Sequence, residues 1–478
     1  MRIVMASSEV SPHATTGGLG EVVASLPRAL AALGHEVSVF MPLYRCAGGD
    51  RAELLLQDSM EFNDRETSFE VRLLDDSQGW RLYGVRKDEY FDRGHLYGNG
   101  DRDYEDNAER FIFFCHAVQR SIQKLELAPD VVHVHDWQAA LLPALLANGP
   151  APRPFSLLTI HNLAFQGVYP AARFGLTGLP RRFFSLHGFE FFGQVNLLKG
   201  GIVHADSVNT VSPTYAKEIQ TTAFGCGIEG VLAGRPGGVQ GILNGIDPAR
   251  WNPARDAQIS ETFDVADPSG KTACKLALAR EVGLRLGRTS APLFAMVSRL
   301  TVQKGFDVLL DALSEIVEAG AHLVILGSGS AEYEAALRAA ATHHKGAVAV
   351  RLGFDEGLAR RIFAGSDFFL MPSFFEPCGL SHMQAMRYGS IPVVRATGGL
   401  EDSVIGRGDA HGQPNGIKFK GTGPKALLKA ATEAIRIFRQ PHQLTGMREA
   451  AMRADFSWSK SAREYEKLYA SLITTVHG

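Results

Sequence analysis

Residues 2–24 read RIVMASSEVSPHATTGGLGEVVA, and the order of events in that stretch decides the fold. A short apolar run, Ile3-Val4-Met5-Ala6, gives way to a loop holding Thr16-Gly17-Gly18-Leu19, and a helix is expected over Glu21–Leu33. Strand, glycine turn and helix in that order open a βαβ unit. Paired glycines at such a turn let backbone N–H groups approach an anion, and the helix start adds partial positive charge. The tetrapeptide recurs at Thr397-Gly398-Gly399-Leu400, after the apolar run Ile391-Pro392-Val393-Val394. Two such turns imply two α/β domains gripping one phosphorylated ligand.

The rest of the chain repeats the alternation. Strands are expected at Arg2–Ala6, Glu36–Met41, Val131–His135, Ser156–Ile160 and Ser207–Thr210. A second set falls at Leu293–Ser298, His322–Leu326, Val348–Leu352, Phe368–Met371 and Ile391–Val394. Helices are expected over Asn107–Lys124, Gly305–Ala319 and Glu332–Thr342. A chain of 478 residues exceeds one ordinary core, so each set is read as its own doubly wound domain. The boundary is placed after Asn244-Gly245-Ile246-Asp247, with a proline- and charge-punctuated linker running to about residue 290. The domains are thus 1–245 and 246–455, with 456–478 packing back on the first.

Composition removes several classes. Hydrophobic content of 45% with 21% charge is that of a globular protein. Lys and Arg total 49 against 51 for Asp and Glu, which argues against nucleic-acid and membrane partners. No run approaches the ~20 apolar residues a membrane helix needs. Met1-Arg2 leads straight into a strand, and the five cysteines form no CxxC pair, so reduced thiols in a cytoplasmic protein are expected. Oligomeric state stays open.

The strongest chemical segment is Pro372-Ser373-Phe374-Phe375-Glu376-Pro377-Cys378-Gly379-Leu380, between a buried-looking strand and a segment that can be helical. Pro377 and Gly379 would let a carboxylate and several amides project from one helix start, suited to sugar hydroxyls and phosphate. A solvated proline loop explains the same residues equally well. Cys378 reads as a small buried thiol. Arg299 and Lys304 flank Leu300-Thr301-Val302-Gln303 after another strand, at the sheet edge where α/β proteins bind ligands. His133, His135 and Asp136 invite a metal reading, but no later cluster clearly completes one, so no metal is expected. His161, at the end of a strand, is either a satisfied core histidine or a site residue. Gly327-Ser328-Gly329 starts like a dinucleotide fingerprint and fails at Glu332, which argues against a nicotinamide-dependent oxidoreductase. Phe354 is either a core aromatic or a stacking face for a base.

In order and spacing these pieces resemble the bacterial glycogen synthases and plant starch synthases, retaining glucosyltransferases of GT-B architecture. The resemblance rests on Ser7-Ser8-Glu9-Val10, Thr16–Leu19, His133–Ala139, Thr159–Gly167, Lys199-Gly200-Gly201, Thr210–Pro213, Asn244–Asp247, Ser298–Gly305, Glu376–Leu380 and Thr397–Leu400. It implies two Rossmann-like domains facing a cleft, and glucose transfer from ADP-glucose to the non-reducing end of an α-1,4-glucan, with no cofactor beyond the donor. In that reading Arg299 and Lys304 hold the diphosphate. Glu376, Cys378, Gly379 and Leu380 hold the glucose and distal phosphate. His161 contacts the sugar, Asp136 organises the acceptor side, and Asn244 lines the cleft. Thr15, Thr16, Gly17 and Gly18 lie at the donor phosphates, Tyr97 near the donor, and Phe354 under the base, while Thr397–Leu400 becomes a neighbouring structural turn because Glu376–Leu380 has the stronger claim on the sugar and distal phosphate.

Three positions depart from the family's pattern. Thr15 stands where many bacterial members have lysine, Glu21 where aspartate is usual, and Phe354 where tyrosine is often found. The loss at Thr15 bears on the choice between ADP- and UDP-glucose. A related transferase with another donor or a small phosphosugar acceptor, and a catalytically silent glucan-binding relative, are the competing readings.

Overall fold

A computed structural model describes residues 1–49, 52–99, 102–286 and 291–474. Residues 287–290 of the expected linker and 475–478 of the C-terminal segment lie outside the described residues. The chain divides into two units: Met1–Gly245 with the segment from Trp458 onward, and Ile246–Ser457.

The first unit is built on a nine-stranded sheet. Across it run Gln240–Gly241, Ser207–Thr210, Phe155–Ile160, Val131–His135, Arg2–Ala6, Glu36–Pro42, Arg81–Arg86, Arg65–Asp75 and Glu53–Phe62. All neighbours are parallel except the last two pairings, which are antiparallel. Strand Arg2–Ala6 sits at the reversal of order, between Glu36–Pro42 and Val131–His135. The antiparallel edge was invisible as apolar runs, because its buried positions alternate. Along Arg65–Asp75 only Thr67, Phe69 and Val71 are buried. That is a period-2 pattern interrupted by Glu66, Ser68 and Glu70.

The second unit has six parallel strands. Numbered within the unit from Leu293–Val297 to Ile417–Phe419, they lie in the order 3-2-1-4-5-6, the doubly wound arrangement of nucleotide-binding domains. Helix Phe306–Glu318 shows why these elements pack. Phe306, Leu309, Leu313 and Ile316 recur at helical spacing and are all buried in the core with Phe294, Met296, Leu323 and Ile325 of the sheet.

The C-terminal helix Trp458–Thr474 belongs to the first unit, where it lies against helix Gly18–Ala32. Its inner face makes a buried polar chain. Asn209 Nδ2 donates to Tyr465 Oη (3.2 Å), and Thr159 Oγ1 donates to Asn209 Oδ1 (2.6 Å). Thr159 therefore accepts from His133 Nε2 (2.6 Å), which leaves His133 Nδ1 to accept the Tyr469 hydroxyl proton (2.8 Å). Every member is buried, so each bond stands in for a lost hydration site. Tyr469→Phe strips His133 Nδ1 of its partner, and we expect a loss of about 1–3 kcal/mol in the stability of this unit by urea unfolding. An unchanged midpoint would mean that apolar packing alone holds the helix.

Candidate active site

Apart from Phe354 and Asn244, which follow the edge strands Val348–Leu352 and Gln240–Gly241, most of the residues singled out by sequence in each unit lie near the reversal of strand order, where the loops leaving two adjacent strands part and open a crevice. In the second unit these are the loops after Leu293–Val297 and Phe368–Met371. The first carries Arg299 and Lys304, the second Glu376. Lys304 Nζ donates to Glu376 Oε2 at 2.6 Å, and Ser373 Oγ donates to the same oxygen at 3.1 Å. The Lys304 and Glu376 side chains are 14% and 6% exposed. These two partners replace the water that burial takes from the carboxylate. The two groups, read separately from sequence as a phosphate clamp and a sugar clamp, are one ion pair, whereas the Arg299 side chain is exposed.

Backbone packing holds the Glu376 loop. Gln303 Nε2 donates to Phe375 O (3.1 Å), Phe374 N to Gln303 O (2.8 Å), and Arg395 Nε to Ser373 O (2.7 Å). The second Thr-Gly-Gly-Leu turn lies directly against it. Gly399 N donates to Glu376 O (3.0 Å), and a Cβ at Gly399 would stand 2.3 Å from the Cys378 carbonyl oxygen. This turn buttresses the loop. Gly379 has φ +82° as the residue before helix Leu380–Arg387, and Gly305 has φ +71° with room for no Cβ beside the Pro372 carbonyl.

Gly327 and Gly329 are explained the same way. A Cβ at either would meet the Ser298 or Leu300 carbonyl oxygen, at 2.0 and 2.4 Å. Leu300 N donates to Ser328 O and Ser330 N to Leu300 O (2.8 and 2.9 Å), so the glycine loop clasps the strand end that carries Arg299. Phe354 is 90% exposed, which disposes of its core reading and leaves a ring open to stacking. Cys378 is buried.

In the first unit the organising side chain is Glu9, which the sequence reading quoted inside a motif but gave no role. Its carboxylate accepts from Thr16 N (2.7 Å), Thr16 Oγ1 (2.7 Å) and Tyr97 Oη (2.7 Å), while Ser8 Oγ lies 2.8 Å from that phenol. Burial pushes the Tyr97 phenol well above its ordinary value, so it remains a donor. Tyr97 is in turn held by its backbone. Asn107 Nδ2 donates to Tyr97 O (2.8 Å), and the fully buried Arg110 donates to Tyr90 O, Leu96 O and Asn107 Oδ1 (2.7, 3.0 and 2.6 Å). The one sequence signal for Glu9 was an acid three residues past a buried strand.

The first Thr-Gly-Gly-Leu turn differs from the second. Gly17 is extended, with φ −171°, and a Cβ there would meet nothing within 4 Å. The protein's own packing makes no demand for glycine at this position, and both Gly17 and Gly18 are exposed at the start of helix Gly18–Ala32. Thr15 is exposed too, its hydroxyl donating to Gly17 O (3.2 Å). Glu21 accepts from Ser11 Oγ (3.2 Å) on the same loop.

Asp136 and His161 end neighbouring strands and meet. Asp136 takes φ +55°, rare for a residue with a side chain, and its Oδ1 accepts from His161 N (2.7 Å). Burial raises the Asp136 carboxyl to about 7, against hydrogen bonds from the His161 and Asn162 backbone that pull it down. His135 Nδ1 lies 3.0 Å from His161 Nε2. His133 spends both ring nitrogens on Tyr469 and Thr159, so it serves the fold. Asn244 is buried, and its Oδ1 has no partner among the described residues. Lys199 is structural, its ammonium capping the carbonyls of Leu186, Gly188 and Glu190 (2.7, 2.7 and 2.8 Å).

Comparison with known proteins matches residues 2–234 to the family described as starch synthase catalytic domain, and residues 286–445 to glycosyl transferases group 1. The chain is 42% identical to glycogen synthase 2 of Geobacter sulfurreducens over 100% of both chains. It is 44% identical to glycogen synthase of an Anaeromyxobacter species over 99% of both. Among solved structures it is similar to the catalytic domain of starch synthase IV from Arabidopsis thaliana, bound to ADP and acarbose, with TM-score 0.91 and 33% identity over 99% of each chain. Sucrose-phosphate synthase from Thermosynechococcus elongatus, at TM-score 0.63 and 17% identity, shares the fold. Two doubly wound units with these crevices define a glycosyltransferase of GT-B architecture. The chain belongs to the glycogen and starch synthase family.

The raised Asp136 carboxyl has a signed consequence for stability. Between its ordinary value near 3.8 and about 7, the folded chain holds a proton that the unfolded chain gives up. The group therefore favours the fold at acid pH, and that contribution is lost as pH rises through about 7. Asp136→Asn keeps an acceptor for His161 N and removes the buried ionisation. We expect its melting temperature to exceed the wild type's by a few degrees at pH 8, and the gap to narrow steadily as pH falls and to close only near the carboxyl's ordinary value of 3.8. A pH-independent difference would show that Asp136 ionises in the fold as freely as in water.

Proposed function

We propose that this protein transfers glucose from ADP-glucose to the 4-hydroxyl at the non-reducing end of an α-1,4-glucan, with retention of configuration. The observation that carries the reading is the ion pair of part-buried Lys304 with buried Glu376 at the reversal of a 3-2-1-4-5-6 sheet, beside the exposed Arg299. The ADP and the acarbose, a glucan-like ligand, of the starch synthase IV structure, and the glycogen synthase names of the relatives, support the choice of donor and acceptor.

The second unit would hold the donor. Arg299 can grip the diphosphate bidentately, and Lys304 adds a point charge whose hold on Glu376 loosens as phosphate charge develops. Glu376 keeps lone pairs for sugar hydroxyls, amides at the start of helix Leu380–Arg387 take a phosphate oxygen, and Phe354 offers its face to the base. In the first unit Glu9 shapes the turn that exposes Gly17 and Gly18, whose amides suit a phosphate, Tyr97 stands with it, and Asn244 offers its unpartnered Oδ1. His161 meets the sugar and Asp136 orders the acceptor side. The bond from the anomeric carbon to phosphate oxygen breaks as the acceptor oxygen bonds to that carbon on the same face, and the departing phosphate takes the hydroxyl proton. Catalysis is then positioning and charge stabilisation, needing no cofactor or metal. No described helix is long and apolar enough to cross a membrane, and we place the reaction in the cytoplasm.

The test is incubation of the full chain with glycogen and labelled ADP-glucose or UDP-glucose, with label counted in polymer. We expect incorporation, faster from ADP-glucose, and folded protein that incorporates from neither donor overturns the reading. Because Glu376 neutralises a part-buried cation and accepts from Ser373, Glu376→Gln is a cleaner probe than alanine. It should lower kcat by about 10²–10³ with the fold intact, and near-normal turnover removes the carboxylate from the mechanism.

Thr15→Lys tests the departure at the first turn. Since Thr15, Gly17 and Gly18 are all exposed, so that the turn is open without a cation, we expect less than about a tenfold gain in kcat/KM. A gain of several orders of magnitude would mean the native turn lacks a cation it needs.

A further inference from the structure

His135 lies between two histidines and is used by neither the fold's polar chain nor the proposed chemistry. Its ring is wholly buried, 4.2 Å from the His133 centroid and 5.2 Å from that of His161. Nδ1 is 3.0 Å from His161 Nε2, and Nε2 has no partner among the described residues. Of two nitrogens 3.0 Å apart in neutral rings, one must carry the proton, and the empty Nε2 decides which. If His135 were protonated on Nε2, a buried N–H would be left without an acceptor, a rare condition. If it is protonated on Nδ1, what is left over is a lone pair, the more tolerated omission.

We infer that His135 is a positioning residue: it donates Nδ1–H to His161 Nε2 and so confines the His161 proton to Nδ1, on the ring's opposite edge. Resting on the function proposed above, this makes His161 a fixed hydrogen-bond donor to a sugar oxygen, in a set orientation. His161 Nδ1 makes no hydrogen bond to any described residue, and the residue is part-exposed, so that edge is available. The backbone supports the same pose, since Asp136 Oδ1 holds His161 N at 2.7 Å. Thus one strand end, His135-Asp136, grips the neighbouring strand's histidine by ring and by main chain. Burial lowers His161 and His133 to about 3 and takes His135 well below its ordinary value, so the rings stay neutral and the assignment concerns tautomers.

Two measurements on the full chain test this. Long-range proton–nitrogen correlation on ¹⁵N-histidine-labelled protein, with His161 assigned by its loss in His161→Gln, reads the tautomer directly. Protonated Nδ1 and bare Nε2 at His161 are expected, and the reverse pattern overturns the inference whether or not the protein transfers glucose. Kinetics then separate placement of a polar atom from filling of space. His135→Asn puts a donor where Nδ1 was, His135→Gln puts one where Nε2 was, and His135→Leu has none. We expect Asn within about threefold of wild-type kcat, with Gln and Leu about 10–100-fold lower, at little change in KM for glucan. Equal activity of Leu and Asn would reduce His135 to packing. Should Leu fail to fold, Asn against Gln and the wild-type tautomer still decide. A wild type inactive with both donors sinks the proposed function and leaves the tautomer measurement intact.

Discussion

The reversal of strand order at the middle of a parallel sheet is the constraint on which this molecule depends. Right-handed crossovers carry successive strands outward from the first, and when the direction changes, the loops leaving two adjacent strands must go to opposite faces. A crevice at their carboxyl ends results from topology alone. In the second unit that crevice receives Arg299, Lys304 and Glu376, and in the first it receives Glu9, Thr16 and Asp136. Residues separated by 72 positions, such as Lys304 and Glu376, become an ion pair only because their strands are neighbours across the reversal.

Holding charged side chains in such a crevice requires loops that do not move. Both units solve this with backbone-to-backbone closeness at glycine and with cations turned inward onto carbonyls. Gly305, Gly327 and Gly399 each stand where a Cβ would strike a carbonyl oxygen of the adjoining loop. Arg110 and Arg395 are buried guanidiniums whose donors go largely to main-chain oxygens of the loops that carry Tyr97 and Glu376. Much of what reads as glycine-rich binding sequence is the scaffold of the site. Gly17 is the contrast, a glycine that nothing within the protein requires.

The elements that were legible in advance share a physical property. Strands such as Val131–His135 and Phe368–Met371 are buried along their whole length, so they appear as uninterrupted apolar or aromatic runs. Arg65–Asp75 buries alternate positions and Glu53–Phe62 only Met60 and Phe62, and both escaped notice. Helices Pro424–Phe438 and Pro441–Arg453 were also unread, although the first was legible: after a proline start its buried Leu427, Ala430, Ala431, Ala434 and Ile435 recur at helical spacing. Among site residues, Lys304 and Glu376 were visible because each sits just past a strand. Glu9 sits there too, but its meaning lies in Thr16 and Tyr97, and no local spacing links 9 to 97.

By itself the sequence determined the α/β class, the two domains and the motifs that carry the family resemblance, since these rest on periodicity, turn chemistry and the order of short segments along the chain. Only the tertiary structure decided which groups neutralise which, that the second Thr-Gly-Gly-Leu turn braces the Glu376 loop through Gly399, and that the returning last helix meets His133 through Tyr469. Those outcomes depend on distances between residues far apart in the chain, and distance across a sheet is set by strand order, which no segment encodes alone.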